Sequence, residues 1–373
     1  MNKIKKIIII VGLSLVISFL LISHLISKEM SKYSYSNNIE NFEIKSIGLE
    51  VNKDYELDIE SLMSESSIEY SKYIINENDE YYKVKKDKII PIKEGVFNVS
   101  VSFIDKVNKT IYSHSLYKVY CYNPKTMIKV NDVDSLLNMN NNKKGHYILD
   151  NNIDLKDIDN FEPIGNHPAG NEFSGMFINP NNYVISNLKI ETSEEIYKGP
   201  YGGCNGGLFG SVKNAYIDNI ILDNVNIDVS DFNGKGSSVA GGLIAFGINS
   251  LITNCNVEGI IKATRHSGGI IGSSSNVTIE NCEFNGTVFQ EGPIDEMSYA
   301  SGGLAGYLYV YRAFEITTCF VRNNKVTATV ISNNIAGGLA GYIEGDCYSD
   351  NTLNCILEAP NTYEIGYQRN YYI

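Results

Sequence analysis

Hydrophobic and polar positions along the chain fall into four regimes. The first is a largely apolar run, Ile7–Ile26, with no acidic or basic side chain except His24, behind Lys3, Lys5 and Lys6. Twenty such residues at about 1.5 Å of rise each match the roughly 30 Å hydrocarbon core, so the run predicts a membrane-spanning signal anchor over 1–27. A cleaved signal peptide is the alternative, but Ser23–Ser27 shows no small-x-small site and no lipobox cysteine. Residues 28–42 are polar and read as a spacer. Period-two alternation follows in Ile47, Leu49, Val51, then Tyr55, Leu57, Ile59, then Phe97, Val99, Val101, Phe103. A polar turn over Asp105–Thr110 separates these from Tyr117, Val119 and Cys121. About seven such runs in roughly eighty residues predict half-buried antiparallel strands in a small β-sandwich over 43–123.

Asn123-Pro124 marks the next boundary. Val130–Met139 predicts a short amphipathic helix, with Asn131 or Asp132 as N-cap and Val133, Leu136 and Leu137 on one face. From Gly206 the pattern repeats. Gly206-Gly207-Leu208-Phe209-Gly210 returns at Gly241–Ala245, Gly268–Gly272, Gly302–Gly306 and Gly337–Gly341, at intervals of 35, 27, 34 and 35 residues. A second short strand ending near Asn-Cys follows each of the last four, closing at Cys255, Cys282, Cys319 and Cys355. Repeats of this length indicate a solenoid or a propeller. A propeller needs four strands per blade with aromatic motifs that are missing here. The pattern therefore predicts an all-β chain whose residues 124–373 form a right-handed parallel β-solenoid behind a capping helix, with glycine supplying positive φ at the corners. The four cysteines, at one repeat position, are expected to form a buried ladder of free thiols.

The repeats resemble the Glug motif of bacterial surface proteins, which also precedes the catalytic domain in IgA1-protease-like zinc metallopeptidases. Tyr147-Ile148-Leu149, Ile153-Asp154-Leu155, Pro163-Ile164-Gly165, Phe173–Phe177 and Ile185–Ile190 follow in the order seen at the start of such β-helices. The resemblance covers roughly 130–357 and implies the fold; Asn179-Pro180-Asn181-Asn182 replaces the usual Asp-Gly-Asn-Gly turn. The stretch Tyr82–Val101 likewise resembles bacterial Ig-like modules, which usually serve as spacers.

Charge narrows the partners. Residues 1–123 carry 16 basic and 16 acidic side chains, and residues 124–373 carry 15 and 27, so the net −12 sits wholly in the second part. Such a field repels phosphate backbones and excludes nucleic acid as a partner, leaving neutral glycans, basic proteins and cations. Abundant Asn, Ile, Lys and Tyr with no Trp reads as the bias of an AT-rich bacterial genome.

Candidate chemistry is sparse. No His-Glu-x-x-His, Cys-x-x-Cys or Gly-x-Ser-x-Gly occurs, so the resemblance brings no protease activity, and no cofactor or metal is expected. An enzyme acting on glycans would need paired carboxylates; Asp218, Asp223, Asp228, Glu280 and Glu283 are the candidates. Arg265-His266 reads as a turn, with a basic pair beside a groove as the alternative. From the third residue of the Gly-Gly motif to the cysteine takes twelve residues in two repeats, fifteen from Leu304 to Cys319 and sixteen from Leu339 to Cys355. Insertions tend to gather on a binding face. The first holds Tyr307, Tyr309, Tyr311 and Arg312, which are expected to bind ligand beside Gln290–Ser301. The expectation is a non-catalytic, single-pass bacterial membrane protein with its C-terminal region outside, displaying a solenoid that binds a host or cell-wall protein or a neutral glycan. A glycan lyase or hydrolase, a structural partner of a separate surface protease, and secretion after signal cleavage are the alternatives.

Overall fold

The computed structural model describes residues 34–35, 44–60, 70–107, 110–165, 170–191, 205–230, 237–293, 299–309, 320–345 and 348–368. The segments 1–27 and Gln290–Ser301 therefore lie wholly or partly outside the described residues, as do Tyr311, Arg312 and Cys319. No helix among the described residues is long and apolar enough to cross a membrane. The chain is all-β and divides into two compact units.

The first unit comprises residues 52–93 and 97–119 with the N-terminal part. Tyr55–Glu56, Lys88–Pro91 and Tyr82–Lys85 pair antiparallel in one sheet. Tyr70–Ile75 pairs antiparallel with Gly95–Asp105, which neighbours Thr110–Tyr122 in another. The period-two alternation read from the sequence is the burial pattern: Val99, Val101 and Phe103 are fully buried, and Leu116, Ile89 and Ile59 join them in the core. Tyr82 stacks on Phe97 at 5.5 Å and donates its hydroxyl to the Asn76 carbonyl at 2.8 Å, so its one polar atom is satisfied.

The second unit comprises Lys45–Val51, Glu94–Val96 and everything from Tyr120 onward. Its helix, Val133–Leu137, is capped by Asp132, whose carboxylate accepts from Ser135 N at 2.8 Å. It buries Leu136 completely. The remainder is built from coils of four short strands, typified by His266–Gly268, Ile271–Ser275, Thr278–Glu280 and Glu283–Gln290. Each strand pairs in parallel with its equivalent in the next coil, giving sheets of six, six, eight and eight strands. This is a β-helix-like architecture. Inward residues such as Ile271, Ile279, Phe284 and Val288 are fully buried in one continuous core.

Asparagine makes the corners. Asn214, Asn249 and Asn276 turn the second strand into the third with φ of 54°, 47° and 53°. Asn219, Asn254, Asn281 and Asn323 turn the third into the fourth at 55–56°, and Asp350 does the same at 54°. Asn and Asp tolerate the left-handed region better than other residues with a Cβ, because their short polar side chains bond locally. The corners that the sequence suggests as Gly and Asn turns are thus made by Asn and Asp, and none of the glycines of the Gly-Gly motif lies in the left-handed region. They are required for close approach instead. A Cβ on Gly269 would stand 2.1 Å from the Phe284 ring and 2.4 Å from the Gly303 carbonyl. A Cβ on Gly303 would stand 2.3 Å from the Gly338 carbonyl. The motif repeats because successive coils meet there backbone to backbone.

Gly269→Ala is therefore expected to overpack the core and destabilise the chain by roughly 1–3 kcal/mol, read as a lowered denaturation midpoint. Asn276→Gly, which keeps the left-handed corner open, is expected to change it by less than half as much; equal losses would refute the packing role.

Candidate functional site

Second strands place alternate side chains on opposite sides of the sheet. In Ala305–Tyr309, Leu308 points into the core, so Tyr307 and Tyr309 face away from it. Parallel register then stacks equivalent positions: Ser273, Tyr307, Tyr342 and Tyr367 form one column, and Ser275, Tyr309 and Glu344 the next. Tyr307 and Tyr309 lie with rings nearly parallel, 6.3 Å apart and 5° between planes. Tyr342 meets Tyr307 and Tyr367 edge to face at 6.0 and 5.4 Å, and Tyr363 meets Tyr367 at 5.3 Å. These are the separations at which aromatic pairs attract. Ala300 and Ile335, from the neighbouring first strands, pack against the rings. Gly341 permits that approach, since a Cβ there would fall 2.5 Å from the Cβ of Ala300.

His266 completes the cluster. It opens the first strand of its coil, is 5% exposed, and stacks on Tyr307 at 5.4 Å with 12° between planes. Its Nδ1 has no hydrogen-bond partner. Burial, with the Arg265 charge adding to it, holds the imidazole down to about 3. It is therefore a neutral, stacked ring rather than the turn residue expected. Tyr307 donates its hydroxyl to Glu344 Oε1 at 2.7 Å. Glu344 itself is 7% exposed.

Of the four predicted ligand residues, the structure brings Tyr307 and Tyr309 together. His266, Tyr342, Glu344, Tyr363 and Tyr367 were missed. Tyr342 and Glu344 were recoverable from the repeat itself, because Gly306-Tyr307-Leu308-Tyr309 and Gly341-Tyr342-Ile343-Glu344 occupy the same positions.

The cysteine ladder is corrected. Cys255 and Cys282 do share one corner, both buried and adjacent in successive coils. The third member is Asn324, whose Oδ1 accepts from Cys282 N at 2.8 Å, and the fourth is Asn351, whose Oδ1 accepts from Asn324 N at 3.0 Å. Cys355 pairs instead with Ala328, inside Thr352–Glu358. Counting to Cys355 had created a sixteen-residue spacing, whereas Leu339 to Asn351 is the regular twelve. The extra residues all belong to the coil after Leu304, where Asn324 stands twenty positions on. Burial raises the thiol pKa of Cys255 far above the usual thiol range, and that of Cys355 less. Cys355 is half-buried and lines a cavity of about 300 Å³ with Leu353, Leu357 and Tyr363 at the final described coil.

Four of the candidate carboxylates are tied to neighbouring coils. Thr253 Oγ1 and Asn254 Nδ2 both donate to Asp218 Oδ1 at 2.7 Å. Asp228 pairs with Lys262 at 3.3 Å, Glu280 with Arg322 at 2.8 Å, and Glu283 with Lys325. Asp223 stands two residues past Ile221, on the strand Ile221–Val229 that also carries Asp228. Among the described residues no group of three or more His, Cys, Asp or Glu side chains is placed to hold a metal ion.

The fold thus defines an all-β protein with parallel, β-helix-like sheets and an outward aromatic cluster. No protein-family model and no curated protein matches the chain. Among solved structures it is similar to an IgA1 protease, at 14% identity and a TM-score of 0.33, over 79% of this chain and 26% of that one. The chain therefore spans about a quarter of the solved protein's length.

Two outcomes check this geometry. Because the His266 pKa is lowered on folding, its neutral form adds stability that is complete above the unfolded value of about 6.5 and is lost as pH falls toward 3. Chemical denaturation at pH 7.5 and 4.5 is expected to show wild type losing more stability than His266→Phe, by about 1.4 kcal/mol per pH unit between those limits. Parallel curves would sink the burial of the imidazole. In alkylation at pH 8 followed by peptide mass spectrometry, Cys355 is expected to react before Cys121, Cys255 and Cys282, which are fully buried. The reverse order would show the coil assignment to be wrong.

Proposed function

We propose that this chain is a non-catalytic bacterial surface protein, held in the membrane by Ile7–Ile26, whose right-handed solenoid of Glug-type repeats binds a partner outside the cell. In this reading residues 43–123 are an Ig-like spacer. The partner is a host or cell-wall protein or a neutral glycan, as the net −12 of residues 124–373 favours. The observation that carries the reading is the tyrosine cluster on the side of the second strands facing away from the core. Tyrosine is the residue of choice for such a surface, since a ring supplies contact area with little side-chain entropy to lose and its hydroxyl stays available for hydrogen bonds. The engagement of Asp218, Asp228, Glu280 and Glu283 by side chains of adjacent coils supports a structural role for them over a catalytic one.

Binding of the purified full chain to printed glycan and extracellular-matrix protein arrays tests the reading. Wild type is expected to give discrete hits that the Tyr307→Ala, Tyr309→Ala double variant loses by tenfold or more, while its melting temperature moves by only a few degrees. Hits that persist in the folded variant would move the surface elsewhere. A variant that unfolds would assign the rings to stability alone.

A further inference from the structure

The stack of coils is finished differently at its two ends. At one, the helix Val133–Leu137 lies against Ile128–Val130 and buries Leu136 in the shared core. At the other, Tyr348–Ser349, Thr352–Glu358, Asn361–Tyr363 and Tyr367–Gln368 are the outermost described strands of their four sheets. The core opens there. Val326, Ala328 and Val330 are buried, whereas Leu353, Cys355 and Leu357, opposite them in register, are half-buried. With Gly338 and Tyr363 the same three side chains line a cavity of about 300 Å³. Thr352 N donates back to Asn324 O at 2.8 Å. Neighbouring residues of a strand bond to opposite sides, so Leu353, Cys355 and Leu357 turn their amides and carbonyls to the open side.

An edge of this kind is a template for another strand, and proteins blunt such edges with lysine, proline or an inward-pointing charge. Thr352–Glu358 has none of these, and its Ile356 is 64% exposed. Charge defines what the edge takes. Asp228, Glu280 and Glu283 are each answered by the residue opposite them in the next coil, Lys262, Arg322 and Lys325. Glu358 follows Ile331 in its own column, with no described coil beyond it. Asp350 and Glu364 lie on the same coil, and residues 348–368 include no lysine or arginine. A second copy docked end to end would set these acids against their own images, so charge selects a different, basic partner.

We propose that Thr352–Glu358 is a docking edge for an extended peptide segment of another protein, which pairs with it as a further parallel strand. The segment's alternate apolar side chains lie over Leu353, Cys355 and Leu357 and fill the cavity, and a lysine or arginine faces Glu358. The strand on the other side of this edge already has such a form. Lys325, Thr327 and Thr329 point outward and Val326, Ala328 and Val330 inward, in register with the edge. Main-chain bonds give this kind of pairing its strength, and the alternate side chains give it selectivity. The edge belongs to the sheet of fourth strands, and Tyr307 and Tyr309 to that of second strands, so the proposal does not rest on the tyrosine surface.

Fluorescence anisotropy of the dye-labelled peptide KVTVTVK with the full chain tests it, against the acidic EVTVTVE and against KVPVTVK, whose proline removes a ladder donor. KVTVTVK is expected to bind, and each control about tenfold more weakly or not at all. At saturation it is expected to slow the alkylation of Cys355 about fivefold or more. Glu358→Lys leaves the core untouched. It is expected to reverse the order of KVTVTVK and EVTVTVE while the melting temperature stays level. The Tyr307→Ala, Tyr309→Ala variant is expected to bind KVTVTVK as wild type does, even where it has lost its array hits. The proposal falls if KVTVTVK does not bind, if either control binds equally, if Cys355 stays unprotected, or if Glu358→Lys leaves the order unchanged. It also falls if a concentration-dependent dimer protects Cys355 and excludes the peptide, which would give the edge to a second copy. Binding that appears only after removal of residues 369–373 would give the edge to the chain's own segment and overturn the proposal. Loss of KVTVTVK binding in the tyrosine variant would end the edge as a separate site.

Discussion

The second unit depends on one constraint: successive coils must stack in register at the spacing of parallel-strand hydrogen bonds, about 4.8 Å. Every side chain then has a neighbour above and below at the same position, and each position becomes a column. Columns explain the repeats better than strand propensity does. The Gly269–Gly303–Gly338 column is glycine because two backbones meet there with no room for a Cβ. The Asn219–Asn254–Asn281–Asn323 column is asparagine because every coil needs a left-handed residue at that corner. The Cys255–Cys282–Asn324–Asn351 column changes from thiol to carboxamide midway. The carboxamides then take over buried backbone groups, Asn324 Nδ2 donating to Ile279 O at 3.0 Å and Asn351 Nδ2 to Val321 O at 2.7 Å.

Where column content changes on the outward side, the surface changes with it. Serines give way to tyrosines between the strands Ile271–Ser275 and Ala305–Tyr309, and the rings of one coil then find rings of the next. Stacking this close buries His266 against Tyr307, and the same corner encloses Glu344. A neutral imidazole is what a dry aromatic corner makes of a buried histidine. The corner therefore owes its chemistry to packing: the rings come together for apolar reasons and fix the electrostatics of their polar neighbours.

Much of this was legible in the sequence. Alternation at Phe97–Phe103 marks buried and exposed sides of one strand, and the Gly-Gly-apolar repeats mark the coils, because both patterns are local. The cap of Val133–Leu137 was legible for the same reason, since Asp132 and Ser135 are three residues apart. Register was not. An insertion of unknown placement after Leu304 allowed Cys319 and Cys355 to be matched by residue type, when the space beside Cys282 is filled by Asn324. The role of the repeated glycines was also hidden, because a residue needed for close approach and one needed for positive φ look alike in one dimension. His266 was misjudged because nothing local announces that the next coil will lay Tyr307 across it.

The hydrogen bonds between coils point along the stacking direction, and this sets how the second unit answers a mechanical load. A pull on a terminal coil meets only that coil's ladders, so coils peel away singly, each interface yielding before the next is loaded. The coil from Gly241 to Gly268 holds 27 residues, which at about 3.4 Å each release roughly 90 Å of chain when it opens. Extension in such quanta would absorb work over a long distance at modest force. A coil left intact at the loaded edge would still carry its full complement of columns, and a strand peeled from it could find the same register again.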